Sequence, residues 1–327
     1  MNINRIILVK LLKRMRYASN IYYQSMFEFK GTGKRDSYAI SFECHKSLAG
    51  CLDNNIEVNI YNISPDAYNE LYAHYSQYRV EVYIGYEDKG LSLLFEGFIL
   101  RVWNAREGMD DKITLSVYQY IDRAIPEGGG KYTSRNIEVV WDKKALVPFL
   151  PMGVVEYRSS TLKELIVDLG NTYKKASGLS NLVVDTSNIN PPLETNNKKR
   201  TFSGSFYGIM DTLAVEYGFT WTIDDDVLRV FEDSKLAGPN GTPPILIGQD
   251  TLISCEPILQ GQFFMNQIGM KIVSILDSAV KPASIVQVQS KVYPKFNGQY
   301  FVHEADYTGS SYGSDWKMTL ESKTRRL

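Results

Sequence analysis

The stretch Asn54–Ile99, NNIEVNIYNISPDAYNELYAHYSQYRVEVYIGYEDKGLSLLFEGFI, decides how the rest of the chain is read. It opens on an alternation, with Ile56, Val58, Ile60 and Asn62 on one side and Glu57, Asn59, Tyr61 and Ile63 on the other. That period of two is the signature of a strand with one buried face. Ser64-Pro65-Asp66 then reads as a helix start, with Ser64 as N-cap and Pro65 at the first helical position. The helix DAYNELYAHYS sets Tyr68, Leu71, Tyr72 and Tyr75 at helical spacing, which predicts one buried stripe. RVEVYIGYED, LSLLFEGFILRVWNAR and KITLSVYQY return to strand rhythm, with turns at Asp88-Lys89-Gly90 and Gly108-Met109-Asp110-Asp111. Strands joined by hairpins, with one short helix, are the makings of a small closed β-barrel with a helix on its side.

Before this stretch, FEFKG and SYAISFECHK flank the turn-rich GTGKRDS, which predicts a hairpin. The N-terminal NRIILVKLLKRMR mixes apolar and basic residues; Lys10 interrupts its apolar run and no small-residue cleavage site follows. Arg5 to Leu12 is therefore expected to be a strand or short helix pairing within the first domain, not a signal peptide.

After it, residues 121–160 change texture, with a loop at Glu127-Gly128-Gly129-Gly130, a strand NIEVVW, and Pro148 and Pro151 as punctuation. Ser160 is expected to cap the helix TLKELIVDLGNTYKKA, whose Leu162, Leu165, Ile166 and Leu169 form one stripe. LVVDT reads as a short strand and NINPPLETNNKKR as an exposed loop. A second helix in GSFYGIMDTLAVEYG, from near Ser205, should end at Gly218, before the hairpin FTWTIDDDVLRVFE turning at Asp224-Asp225-Asp226. From Ile245 onward strands resume in TLISCEPIL, QIGMKIVSIL, SIVQVQSKV, GQYFVHEADYT and WKMTLESK.

The expected fold class is mainly β with an α+β insertion: two antiparallel β-barrels flanking a central α/β module. The expected division is 1–125 for the first barrel, 126–158 for connecting strands and loops that can also belong to the second barrel, 159–240 for the α/β module and 241–327 for the second barrel.

Composition narrows the function. The chain has 327 residues and 36 basic against 37 acidic side chains, a net charge of −1 that argues against a general nucleic-acid binder. Its 22 Tyr and 14 Phe suit pleated sheet and protein–protein contacts. Cys44, Cys51 and Cys255 form neither a disulfide framework nor a metal spacing, which points to a reducing compartment, with a Cys44–Cys51 pair left open. No stretch reaches the ~20 apolar residues of a membrane-spanning helix.

Chemistry-bearing patterns are sparse. His45, His74 and His303 lie in separate elements, and Cys44 and His45, adjacent on a strand, point to opposite faces. There is no nucleophile elbow, and Gly128-Gly129-Gly130 lacks the Lys-Ser/Thr of a phosphate loop. Asp224-Asp225-Asp226 reads as a solvated turn, while Lys198-Lys199-Arg200 and Lys323-Thr324-Arg325-Arg326 are short solvated patches. No catalytic residue, cofactor or metal site is expected.

Three segments in order resemble the baseplate hub proteins of contractile-tailed bacteriophages, a family related to the hub part of type VI secretion spikes. They are Asn54–Ile99, then TFSGSFYGIMDTLAVEYGFTWTIDDDVLRV, then GMKIVSILDSAVKPASIVQVQSK followed by GQYFVHEADYTGSSYGSDWKMTLES. The likeness runs from about residue 40 and weakens over 121–158 and at the N-terminus. His303-Glu304-Ala305-Asp306 departs from the family's usual turn region, so a different loop is expected there. The chain ends at Leu327 with no appended lysozyme or peptidase domain, so no lytic role is carried over.

The resemblance implies two tail-tube-like barrels per chain and a homotrimer presenting six barrels in a pseudo-sixfold ring. Such a ring would join the hexameric tail tube protein to the trimeric central spike protein, beside other baseplate proteins. DNA would pass through without specific binding. The protein would be structural, not an enzyme, and would reside in the virion's tail baseplate after assembly in the host cytoplasm. Tyr68, Tyr72 and Tyr75 are the candidate assembly contacts. Two other classes compete with this reading. A tail-associated cell-wall hydrolase would use Asp110, Asp111 or Asp224, but these lie in turns, a poor match to the carboxylate geometry of glycoside cleavage. A carbohydrate-binding β-module would stack sugars on Trp103, Trp141, Trp221 and Trp316, which instead fall in apolar strand patterns that suit a core.

Overall fold

The computed structural model describes residues 5–17, 20–48, 54–119, 152–157, 161–177, 182–189, 200–204, 206–224, 227–232, 243–258 and 269–324. In chain order the elements are β1 (Arg5–Tyr17), β2 (Asn20–Gly31), β3 (Ile40–Ser47), β4 (Asn55–Tyr61), α1 (Pro65–His74), β5 (Tyr78–Tyr86), β6 (Gly90–Glu107) and β7 (Asp110–Tyr118). There follow β8 (Met152–Tyr157), α2 (Leu162–Ser177), β9 (Val183–Asn188), β10 (Arg200–Gly204), α3 (Phe206–Tyr217), β11 (Phe219–Asp224) and β12 (Val227–Glu232). The last are β13 (Ile245–Ile247), β14 (Leu252–Ile258), β15 (Gly269–Ile275), β16 (Ile285–Val288), β17 (Gly298–Ser310) and β18 (Trp316–Thr324). The fold class is the expected one, mainly antiparallel β with an α/β insertion.

The chain divides into two units, Met1–Ile121 with Gly241–Leu327, and Asp122–Asn240. In the first, both β-rich ends share one 13-stranded sheet in the order β14-β15-β18-β17-β3-β4-β7-β6-β5-β1-β2, with β16 pairing β17 and β13 pairing β16. The join is the antiparallel β3–β17 ladder, from Ser41↔Ser310 to Ser47↔Glu304. One face along this path is apolar: Ile56, Val58 and Ile60 of β4, Leu115 and Val117 of β7, Ala305 and Tyr307 of β17, and Met318 and Leu320 of β18 enter a common core. Burying such faces supplies most of the driving force, at about 25 cal/mol per Å² of apolar surface.

Gly309 lies directly opposite Phe42 in the join, and a Cβ there would sit 2.4 Å from the Phe42 ring. The missing side chain lets the ring fold over the partner strand and seal the core. The turn after β17 clasps the N-terminal part of the same unit. Ile40 N donates to Ser311 Oγ at 3.0 Å, and Arg5 donates to the carbonyls of Gly313 and Ser314 at 3.1 and 3.3 Å.

The second unit holds α2, α3 and the three-stranded sheet β11-β12-β9, in which β12 pairs β11 antiparallel and β9 parallel. Its core gathers Leu162, Leu165, Ile166 and Leu169 of α2, Met210 and Leu213 of α3, and Phe219 and Trp221 of β11, all buried. Gly218 ends α3 with φ of 68°, as expected of a C-terminal glycine.

Several expectations are corrected. FEFKG and SYAISFECHK do not form a hairpin: β2 pairs β1, and β3 pairs β4 and β17, although Tyr38 N still donates to Lys30 O at 3.1 Å. The reason is competition, because β1 offers a longer partner than an eight-residue β3 whose edges are already taken. Of the two forms left open for Arg5 to Leu12, the strand is correct. Thr161 caps α2. Glu164 N donates to Thr161 Oγ1 at 3.2 Å and Thr161 N to Glu164 Oε2 at 3.3 Å, a reciprocal capping box. His303-Glu304-Ala305-Asp306 is no loop; it runs inside β17, with a bulge between Val302 and Glu304 that re-aims His303. The expected stripe on α1 is narrower, since Tyr72 is 58% exposed and the buried residues are Ala67 and Leu71. The readings made of Glu127–Gly130, NIEVVW, Pro148, Pro151, Ser160, Cys51, Trp141, Lys198, Lys199 and most of NINPPLETNNKKR lie outside the described residues.

Candidate functional site

Helix α1 carries two of the three tyrosines singled out from the sequence, Tyr68 and Tyr72, and Tyr75 follows as its C-cap. Ser64 Oγ accepts from Ala67 N at 3.3 Å and Pro65 occupies the first turn, so the helix begins where the sequence says. Leu71 and Ala67 anchor it to the core. Tyr68 and Tyr75 are half-buried against that core, and Tyr72 faces out. The rings of Tyr68 and Tyr72 stack at 5.8 Å and 25°, so two of the three candidates form one aromatic surface while Tyr75 supports the helix end.

A polar pin fixes the helix to the sheet. Glu70 Oε1 accepts from Lys13 Nζ of β1 at 2.6 Å and from the Tyr78 hydroxyl of β5 at 3.0 Å. The Lys13 hydrogen bond, with help from Tyr78, holds the Glu70 carboxyl below its ordinary range. Burial, and next the Glu70 hydrogen bond, pushes the Tyr78 phenol up. Aromatic side chains on a helix held this firmly lose little freedom when a partner covers them.

The opposite face of the β3–β17 join is polar and strongly acidic. Glu43 on β3 lies opposite Glu57 on β4, and Glu304 on β17 lies opposite Glu321 on β18. Between them His45 Nδ1 and Asp306 Oδ1 meet at 2.7 Å. Like charges directly opposite one another destabilise a sheet, so this face accepts a cost in exchange for a negative potential. Lys271 on β15, opposite Glu321, and Lys317 on β18, in the same cross-strand row as Glu43 through Thr308, relieve part of it. Local alternation places Glu43 and His45 on one face, but only the long-range register assembles the stripe.

Residues weighed for chemistry do not converge. Cys44 is buried while His45 turns to Asp306, as strand geometry requires. Burial, with Glu256 adding to it, pushes the Cys255 thiol up to about 11, the wrong direction for a nucleophile. Asp110 accepts from Asn62 Nδ2 at 2.8 Å and braces a hairpin. Trp221 and Trp316 are 6% and 5% exposed, which makes them core. Trp103 is half-buried, with the Arg101 guanidinium 5.2 Å from its ring centre. Among the described residues no three His, Cys, Asp or Glu side chains are grouped to hold a metal. A cavity of about 220 Å³ opens between the β5–β6 hairpin and the strands near Ile247 and Leu276, with Trp316 in its wall.

No protein-family model matches this sequence, and no curated protein is detectably similar to it. Solved structures are similar in shape. A tail protein from Neisseria meningitidis MC58 superposes with a TM-score of 0.55 at 10% identity, over 97% of this chain and 96% of that one. The 43 kDa tail protein of prophage MuSo2 from Shewanella oneidensis gives 0.54 at 8% identity, over 98% of both chains. The fold is that of phage tail proteins. A component of the E. coli type VI secretion system, described as similar in structure to the bacteriophage T4 tail proteins gp27 and gp5, gives 0.51 at 12% identity over 90% of this chain and 76% of that one. At these identities the likeness is one of fold.

Proposed function

We propose that this chain is a structural baseplate hub subunit of a contractile tail. Three copies would form a pseudo-sixfold ring that joins the hexameric tail tube to the trimeric central spike and leaves a channel for DNA. The observation that carries the reading is the β3–β17 join, which sets two β-rich ends side by side in one sheet within one unit. A chain with two such ends side by side can present two similar edges to a sixfold partner while obeying threefold symmetry. Closed rings of this kind need heterologous surfaces.

Two features support it. The α1 surface of Tyr68 and Tyr72 has the aromatic character of interface anchors. The stripe of Glu43, Glu57, Glu304, Asp306 and Glu321 would repel phosphates, as a smooth DNA channel requires, because phosphate binding is driven by Lys and Arg. In this reading the chain does no chemistry and works in the virion tail. Co-expression with tail-tube and central-spike proteins, followed by electron microscopy, tests the proposal. A threefold ring seated between tube and spike is expected. Failure to co-assemble with both would overturn it.

A further inference from the structure

The β6–β7 hairpin ends in a tip that is braced beyond what a turn needs. Glu107 and Asp110 are cross-strand partners, leaving a two-residue turn in which Gly108 adopts φ of 67° and Met109 is 90% exposed. Asn62, itself left-handed at φ of 56°, donates from N to Asp111 O at 2.8 Å and from Nδ2 to Asp110 Oδ1 at 2.8 Å. Its Oδ1 accepts from Asp111 N at 3.1 Å. Lys112 Nζ and the Tyr61 hydroxyl both reach Glu107 Oε2, at 3.0 and 3.1 Å. A large apolar side chain is thus held out in water on a rigid stalk, so seating it costs little ordering entropy.

At the other end of the same strand, Gly90 and Ser92 of β6 help to line the cavity of about 220 Å³. Ile84, Ile247, Leu276, Trp316 and Met318 form its apolar wall. Leu246 lines it and is 58% exposed, a large apolar side chain left uncovered. A cavity of about 150 Å³ already accepts a benzene, so this one has room for a methionine side chain. A thioether also packs favourably against an indole such as Trp316.

Charge is consistent with the fit. The tip carries Glu107, Asp110 and Asp111 against Arg106, which lies opposite Asp111, and Lys112, which pairs with Glu107, a net charge of −1. One side of the cavity presents Lys89 and, stacked 5.5 Å over Trp316, the Arg5 guanidinium. Asp277 lines the cavity too, and Asp88 precedes Lys89, so the tip would have to enter on the Lys89–Arg5 side.

We propose that the Met109 tip of one copy of this chain plugs the Trp316 cavity of the next copy. Plug and socket are separated by about seventeen residues of one strand, a contour of roughly 56 Å at ~3.3 Å per residue, so a chain cannot fill its own socket. The contact is therefore heterologous and head-to-tail, the type that closes rings. It rests on the hub reading and adds the residues by which copies would join.

The test uses the full-length chain and sedimentation velocity. Met109→Asp and Leu246→Asp each alter an exposed position, and each should weaken self-association about tenfold or more, with melting unchanged. Met109→Leu should associate as the unaltered chain does. Mixing the two Asp variants is diagnostic: each keeps one intact end, so the mixture should form dimers and go no further. Normal self-association of Met109→Asp, or an unaltered chain that stays monomeric at all concentrations, overturns the plug. Neither result touches the hub reading, which stands or falls on co-assembly with tube and spike.

Discussion

The indole N–H of Trp316, at the start of β18, donates to the Tyr86 hydroxyl, at the end of β5, across 2.8 Å, and the two rings meet edge-on at 5.9 Å. The pair spans 230 residues of sequence and, with the β3–β17 ladder, holds the two β-rich ends together. A buried indole needs a partner for its N–H, and a phenol supplies one without a charge. Trp316→Phe keeps an aromatic ring but loses the hydrogen bond and some of the indole's packing, so it should cost about 1–3 kcal/mol. Trp316→Ala removes the packing as well and should cost about 3–5 kcal/mol. Urea unfolding followed by far-UV circular dichroism measures both, and equal losses would show that the ring contributes nothing.

Gly309 and Phe42 give a second test of the join. Any Cβ at 309 meets the Phe42 ring, so Gly309→Ala should lose about 1–3 kcal/mol through overpacking. Shortening the ring with Phe42→Leu should recover part of that loss in the double variant, and the coupling shows in a double-mutant cycle. Additive losses would mean the two residues do not touch.

These relationships mark the limit of what the sequence shows. The alternation through Ile56, Val58 and Ile60, and Ser64-Pro65 before a helix, report local geometry, and β4 and α1 lie where those signals put them. The partner of a strand is not a local property. SFECHK carries its buried face in its own pattern, but nothing in it names HEADYT some 260 residues later, and so neither the join nor the acidic stripe was legible. The turn-rich GTGKRDS misleads for the same reason, since it bends the chain without deciding which strands pair. Tyr72 falls outside the buried stripe that its spacing predicts, because helical spacing gives a stripe without its width. The fold's narrow contact through Ala67 and Leu71 sets that width.

The pin on α1 predicts a pH dependence. The folded Glu70 carboxyl sits below its ordinary value of 4.5, with the Lys13 hydrogen bond as the chief cause. A depressed carboxyl stabilises the fold above its unfolded pKa and loses that contribution as pH falls through the folded value. Glu70→Gln should therefore melt lower than the unaltered protein at neutral pH, and the gap should close below pH 4.5 as the carboxyl protonates. Thermal melts from neutral pH down to strongly acidic buffer test this, and a gap independent of pH would refute the pin.

In the α/β unit, Trp221 holds α3 to the β11–β12 hairpin. Its N–H donates to Asp211 Oδ1 at 2.9 Å and its ring meets Phe206 edge-on at 5.9 Å. Trp221→Ala should cost that unit about 3–5 kcal/mol. Since the two units have separate cores, hydrogen exchange should show the loss within residues 206–232 and leave β3, β4 and β17 protected. A loss shared equally by both units would show that they unfold together.

Tyr72 is the sharpest probe of the α1 surface. Its side chain is 58% exposed and stacks on Tyr68, whereas Tyr68 also packs against the core. A Tyr68→Asp change would confuse folding with binding; Tyr72→Asp adds a charge in water and should leave the melting temperature unchanged. If α1 is an assembly contact, that one charge would be desolvated against a partner and leave Tyr68 without its stacked ring. Truncated or charged tyrosines at the centre of interfaces commonly cost about 2 kcal/mol or more, so co-assembly with tube and spike should weaken by about thirtyfold. Tyr72→Phe keeps the stack and should assemble normally. Pull-down of tagged spike with each variant separates the outcomes. Undiminished recovery of Tyr72→Asp would remove α1 from the assembly surface, while equal loss in Tyr72→Phe would assign the contact to the hydroxyl instead of the ring.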